Sequence, residues 1–304
     1  MLDFLRKEQV SEELIAGVEA YRKTHPVEEQ WKNRVPVPRF PYYGKKVWEE
    51  AIAALLCGQN LLLAGPKATG KNVLAENLAA AFQRPMWNVS FHINVDATSM
   101  LGTDTFRNGE VVFRPGPVYQ CAQWGGFGVF DEINMARNEA MAVLHSLLDY
   151  RHRVDIPGYD LLQANEACRF IATMNYGYSG TRELNEALTS RFAVIQLPPI
   201  DGATLDRLLS TEFPTLKKQA REGFGQLFLD LEKKCQEAEI SERALDLRGL
   251  LDALQLIQQG LEAHDALEMG LVNKSFDEYE PGIIRDVIKL RIPSTYQKQD
   301  IFEE

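Results

Sequence analysis

Three observations predict a three-layer α/β core built on a parallel sheet and followed by a small all-helical lid domain. Strand and helix patterns alternate between residues 47 and 200, a wholly apolar run stands at 61–64, and strand signals vanish beyond Leu205. Alternating strands and helices give a parallel sheet with helices on its faces. A short run with no polar alternation is what a central parallel strand needs, because both of its faces are covered.

Residues 1–44 read as an N-terminal helix and linker. Phe4, Leu5, Leu14, Val18 and Tyr21 form the apolar side of one short helix, and the proline-broken VPVPRFPYYG reads as a solvated arm. Residues 45–200 form the core. It opens with an amphipathic helix at 47–56, passes through strand Leu61-Leu62-Leu63-Ala64, and continues in a helix marked by Leu74, Leu78 and Phe82. Further strands are expected at 86–91, 127–130, 170–174 and 194–197, and Pro198-Pro199 ends the region. Two β-hairpins interrupt this frame. Asn108-Gly109 between β-prone arms is the strongest short-range hairpin signal. Residues 153–162, around Pro157-Gly158, make a weaker second case. Residues 201–304 form the lid domain, with helices at 227–231, 245–257 and 283–290.

A chain of 304 residues with 45% hydrophobic and 25% charged residues can bury a proper core. Its 43 acidic residues against 33 basic ones, a net charge of −10, disfavour a nucleic-acid partner, whose phosphate backbone calls for a basic face. Cys57, Cys121, Cys168 and Cys235 are far apart in sequence, with no C-x-x-C pair, which fits reduced, buried thiols in a cytosolic protein. The five histidines form no ligand pattern. The N-terminus has no signal-peptide core and no apolar run is long enough to span a membrane, so a cytoplasmic location without a membrane partner is expected.

The chemistry concentrates in a few places. The apolar strand at 61–64 runs into Gly65-Pro66-Lys67-Ala68-Thr69-Gly70-Lys71-Asn72 and then a helix, which is the G-x-x-x-x-G-K phosphate-binding loop in its strand–loop–helix setting. Glycines let backbone N–H groups turn toward phosphates, the helix N-terminus adds partial positive charge, and Lys71 can reach the β- and γ-phosphates of ATP. The residue after that lysine is normally a Ser or Thr whose hydroxyl binds Mg2+. Here it is Asn72, whose longer carboxamide must fit a tight octahedral site, and this puts the catalytic rate in doubt. Strand Phe127-Gly128-Val129-Phe130 delivers Asp131-Glu132, a Walker B arrangement in which Asp131 serves Mg2+ and Glu132 polarises the attacking water. Strand Phe170-Ile171-Ala172-Thr173-Met174 ends in Asn175, an amide able to bond the γ-phosphate or the water. Phe106, Phe113 and Tyr159 in the hairpins could face a ring's pore or pack against neighbouring structure.

The phosphate loop, FGVFDE, ATMN and GTRELNEALTSRF together resemble the AAA+ ATPases of the MoxR-like group, closest to the branch of the CbbQ, NorQ and GvpN proteins. The wording of residues 177–180 and 184–192 carries much of that resemblance, which covers about residues 43–290. It implies a homo-oligomeric ring, a hexamer, with ATP and Mg2+ bound between core and lid and at the subunit boundary. It further implies a protein client, commonly approached through a von Willebrand factor A-domain partner. The two hairpins resemble that family's inserts. Arg191 resembles the arginine finger that reaches a neighbour's γ-phosphate, with Arg182 as its competitor. Arg248 resembles the sensor 2 arginine of the lid, and Arg243 fits an alternative alignment. The function implied is an ATPase that remodels or activates a client protein. The alternatives are a nucleotide-dependent scaffold that hydrolyses little, for which Asn72 speaks, and a DNA-linked motor, which the acidic charge disfavours.

Overall fold

The computed structural model describes residues 1–156, 158–175 and 184–303. The chain divides into two compact units, Met1–Pro66 with Gly70–Pro198 and Lys67–Thr69 with Pro199–Glu304.

Among the described residues of the first unit, nine strands form one large and two small sheets: β1 (Asn60–Gly65), β2 (Met86–Ser90), β3 (Gly102–Arg107), β4 (Glu110–Pro115), β5 (Phe127–Asp131), β6 (Arg153–Val154), β7 (Leu162–Gln163), β8 (Arg169–Asn175) and β9 (Phe192–Gln196). The large sheet runs β2-β5-β8-β1-β9 with every pair parallel. Burial follows position. All six residues of β1 are buried, whereas the edge strands β2 and β9 alternate between buried and exposed residues. Successive side chains of β1 serve opposite cores. Leu61 and Leu63 join Trp48, Ile52, Leu78, Phe82 and Phe127 on one face, while Leu62 joins Trp87, Phe130 and Phe170 on the other. The predicted three layers are present.

The N-terminal segment departs from expectation. Gln9 adopts a left-handed φ of 59° and breaks the single expected helix into Leu2–Lys7 and Glu12–Thr24. These helices are packed, not solvated: Leu5, Val10, Ile15, Val18 and Tyr21 are buried in the same core as the face of β1 that carries Leu61. The reason is visible in the second helix, where Ile15 completes an i, i+3, i+6 stripe with Val18 and Tyr21. Polar ties reinforce the packing. The Tyr21 hydroxyl donates to the Ala167 carbonyl at 2.7 Å, and Arg22 Nε donates to Ala81 O at 2.7 Å. Arg84, only 3% exposed, donates to the carbonyls of His25, Trp124 and Gly125. No carboxylate bonds it among the described residues. The helices Glu12–Thr24 and Pro117–Trp124 both end at these carbonyls, so their negative dipole ends offset its charge.

The two hairpins also form. β3 pairs antiparallel with β4 around Asn108 and Gly109, whose φ values of 53° and 90° are those of the two-residue turn this dipeptide favours. β6 pairs with β7. The hairpins meet: Tyr159 donates its hydroxyl to Asp104 Oδ1 at 2.5 Å and lays its ring 4.8 Å from that of Phe113, which in turn contacts Tyr119. Packing therefore accounts for Phe113, while Tyr159 stays 43% exposed beside it and Phe106 77% exposed. Two cysteines distant in sequence also meet. The thiols of Cys121 and Cys168 lie 3.8 Å apart and buried, the turn before β8 being tied to the helix Pro117–Trp124 by the Asn165 N–H, which donates to Ala122 O at 2.8 Å, and burial raises the Cys121 thiol pKa. Cys57 is exposed, contrary to the expectation that all four thiols are buried.

The second unit is helical, with helices Gly202–Glu212, Lys218–Gln236, Leu247–Gln258, Ala263–Gly270, Glu280–Arg291 and Lys298–Ile301. Phe224, Leu227, Phe228, Leu250, Leu254 and Ile284 are fully or nearly fully buried there. Asp201 and Asp246 cap two of the helices, accepting from the N–H groups of Thr204 and Arg248. No described helix is long and apolar enough to cross a membrane.

Candidate nucleotide site

Parallel strands deliver their C-terminal ends to one edge of the sheet, which is where open α/β sheets bind ligands. At that edge β1 passes into the loop Gly65-Pro66-Lys67-Ala68-Thr69-Gly70, and the helix Lys71–Phe82 follows directly. Ala68 and Gly70 take left-handed φ values of 63° and 79°. Such residues curl a loop so that successive N–H groups can face one anion, and no side chain caps this helix N-terminus. Thr69 is buried, and so is Lys71, at 8% exposure. The Lys71 ammonium donates to Gly65 O at 2.9 Å and to Pro66 O at 2.6 Å, which holds it at the loop. Asn72 is exposed on the first helical turn.

Two strands away, β5 ends in Asp131, and Glu132 turns the chain through a left-handed conformation with φ 54°. Between them lies β8, whose register places Ala172 beside Phe130 on one side and Asn175 beside Gly65 on the other. The three strand ends are knitted by polar side chains. Thr173 donates its hydroxyl to Asp131 Oδ1 at 2.7 Å and accepts from the Glu132 N–H at 3.1 Å. Asn175 Nδ2 donates to Glu132 Oε1 at 3.2 Å, and buried Asn134 donates to Asn175 O at 2.9 Å. Thr173 and Asn134 escape a motif-based reading. Thr173 could have been noticed only from period two, since it points to the face opposite its neighbours and sits two residues before Asn175.

The donor set fits a hard cation. Asp131 supplies carboxylate oxygen, with Oδ2 receiving no bond from a described residue, and Asn72 carries a carboxamide oxygen. Among the described residues no three His, Cys, Asp or Glu side chains gather as a metal cage, so phosphate oxygens and water would have to complete the coordination.

The description AAA domain (dynein-related subfamily) matches residues 60–192, from the first residue of β1 to the first of β9. Over most of its length the chain is similar to the uncharacterized protein YojN of Bacillus subtilis (strain 168), at 32% identity across 270 residues, 87% of this chain and 88% of that one. It is 34% identical across 252 residues to the uncharacterized protein SH1500 of Staphylococcus haemolyticus, covering 81% of this chain and 95% of the relative. The chain belongs to one family with these two relatives, and its residues 60–192 are an AAA domain of the dynein-related subfamily. A solved structure from Cytophaga hutchinsonii aligns over 94% of this chain at 16% identity and a TM-score of 0.44, too loosely to inform the site. An AAA domain implies ATP binding.

Of the candidate arginines, Arg191 lies in the AAA domain and Arg243 and Arg248 lie beyond it. Arg191 lies between the short helix Glu186–Thr189 and β9, and its guanidinium is engaged in its own chain. Nε donates to His145 O at 3.1 Å, Nη1 donates to Ala187 O, and Nη2 lies 3.7 Å from Asp149 Oδ2. The closer partner of Asp149 is Arg151, at 2.7 Å, and its hydrogen bonding is the largest cause holding the Asp149 carboxyl down to about 2. Burial and then the Arg191 charge lower the His145 pKa. Arg182 and residues 177–180 lie outside the described residues. Arg248, on the first turn of the helix Leu247–Gln258, and Arg243, just before it, are both exposed in the second unit.

The position of Thr173 yields a direct test. Thr173→Val keeps the shape of the side chain but leaves Asp131 Oδ1 and the Glu132 N–H without their shared partner. We expect a stability loss of about 1–3 kcal/mol in urea unfolding, with ATP turnover reduced more than ATP affinity. Unchanged stability would show that the shared hydroxyl does not hold the two strand ends together.

Proposed function

We propose that this chain is an ATPase of the MoxR-like AAA+ group, nearest the CbbQ, NorQ and GvpN branch. It would couple ATP binding and hydrolysis in a homo-oligomeric ring, a hexamer, to the remodelling of a protein client in the cytoplasm. The observation that carries the reading is the convergence of the phosphate loop, the Asp131-Glu132 pair and Asn175 at one sheet edge, with Glu132 Oε1 accepting from Asn175 Nδ2 at 3.2 Å. Lys71 and the loop N–H groups bind the phosphates. Asp131, with the Asn72 carboxamide, holds Mg2+, which when bound neutralises phosphate charge. Glu132 accepts a hydrogen bond from the attacking water and turns it toward phosphorus, while Asn175 fixes the carboxylate that does so. Arg191, or Arg182, completes a neighbour's site, and Arg248, or Arg243, acts from the lid. A von Willebrand factor A-domain protein is the expected partner between ring and client.

A scaffold that binds ATP and hydrolyses little is favoured by one feature, the exposed Asn72 where a hydroxyl ordinarily stands. Glu132→Gln separates the readings. Its amide keeps the shape but cannot take a proton, so it should bind ATP with near-wild-type affinity while turnover falls by roughly 10²-fold or more. Affinity by calorimetry and steady-state turnover with Mg2+ are the measurements. A wild type that binds ATP tightly yet shows no Mg2+-dependent turnover would establish the scaffold instead.

A further inference from the structure

The chain entering the core from the N-terminal helices lays a side chain against the phosphate loop. Residues 35–44 were expected as a solvated linker, yet their backbone is held from two sides. Asn77, 0% exposed and on the same helix as Lys71, donates its amide to Phe40 O at 2.8 Å. Trp48, equally buried, donates its indole N–H to Tyr42 O at 2.8 Å. These bonds press the Tyr42 ring, itself 8% exposed, onto Gly70: a Cβ there would stand 3.3 Å from both Cδ2 and Cε2. Gly70 is also the residue whose φ of 79° turns the loop into the helix, and its carbonyl accepts the first helical hydrogen bond, from Leu74 N–H at 2.8 Å.

A left-handed glycine has little conformational preference of its own, so something else must choose its state. Two features could do so. The first helical bond acts from one side, and a rigid ring backed by two buried donors acts from the other. We propose that Tyr42 is a positioning residue for the phosphate loop: its ring restricts Gly70 to the left-handed turn and thereby aims the helix N-terminus and Lys71. The proposal rests on the reading of Gly65–Lys71 as the phosphate site and adds the element that pre-orders it. Pre-ordering saves the loop's ordering cost at the moment of binding and so appears as affinity. The contact requires the ring and not the hydroxyl, which sets the pattern of variants.

The test uses MgADP as the probe, with calorimetry for affinity and amide hydrogen exchange at Leu74 as a readout independent of nucleotide. Tyr42→Phe should match wild type in both. Tyr42→Ala should bind MgADP roughly tenfold more weakly, about 1.4 kcal/mol. Without nucleotide it should exchange the Leu74 amide faster, with exchange in β5 and β8 unchanged. Should Tyr42→Ala not fold, Trp48→Phe removes the bond to Tyr42 O while keeping the ring, and the same two readouts should move in the same direction by a smaller amount. A folded Tyr42→Ala, or Trp48→Phe in its place, with wild-type affinity and unchanged Leu74 exchange would overturn the proposal. A wild type that fails to bind MgADP would instead overturn the phosphate-site reading, and the exchange comparison would still decide whether Tyr42 holds the loop.

Discussion

Arg191→Ala is expected to lose ATP turnover by ~10³-fold or more, the typical worth of an arginine finger, while binding ATP with little change. If the arginine completes a neighbour's site, each active site is composite and no isolated subunit hydrolyses efficiently. Mixing Arg191→Ala with Lys71→Ala subunits should then restore part of the activity, since some mixed interfaces pair an intact loop with an intact finger. Two variants damaged in one self-contained site could not rescue each other. The structure adds a control. Arg191 is bonded to His145 O and Ala187 O and stands 3.7 Å from Asp149, so removing it also disturbs its own chain. Thermal melting of the variant separates these effects, because a purely local strut would lower stability without a rate loss of that size. Absence of rescue in confirmed mixed rings would count against a role in trans, and normal turnover in Arg191→Ala would transfer the role to Arg182.

Lys71→Ala should abolish measurable nucleotide binding and keep the fold. The side chain is nearly buried against Gly65 O and Pro66 O, so its loss leaves those carbonyls to water, at about 1 kcal/mol. The helix it begins stays anchored by Leu74, Leu78 and Phe82 in the core. The loss of binding should therefore far exceed the loss of stability. Calorimetry with ATP, beside a urea melt, reads both. Unchanged affinity in a folded variant would remove Lys71 from the phosphate contacts.

The parallel sheet, the inserted hairpins and the motif-bearing strand ends were legible because each writes a local signal. Leu61–Ala64 lacks polar alternation, Asn108-Gly109 has only one good turn to make, and a glycine loop with a lysine needs a strand before it and a helix after it. What was not legible depends on which strands become neighbours. Thr173 matters because β8 lies beside β5, which brings its hydroxyl to Asp131. Nothing in the sequence marks Asn77 or Arg84, yet Asn77 bonds the distant Phe40 carbonyl and Arg84 the carbonyls of His25, Trp124 and Gly125. The N-terminal segment was misread for a related reason. Its prolines and charges describe its outer surface, whereas Ile15, Val18 and Tyr21 face the core from the second helix and Leu5 reaches the same core from the first only because Gln9 turns the chain between them. The phosphate loop's dependence on Tyr42 leaves no trace in the motif itself.

The parallel order of the sheet also has a consequence for the chain as it leaves the ribosome. β1 is made early, but its two neighbours, β8 and β9, come more than a hundred residues later. Tyr21 likewise waits for Ala167, 146 positions on. At ordinary elongation speeds of ~5–20 residues per second, β1, buried along its whole length in the fold, spends roughly 6–26 s without its neighbouring strands. That interval leaves Leu61, Leu62 and Leu63 without a strand neighbour on either side. Slow translation would lengthen it, so the yield of native protein should depend on codon speed between residues 66 and 196 more than on speed in the helical second unit.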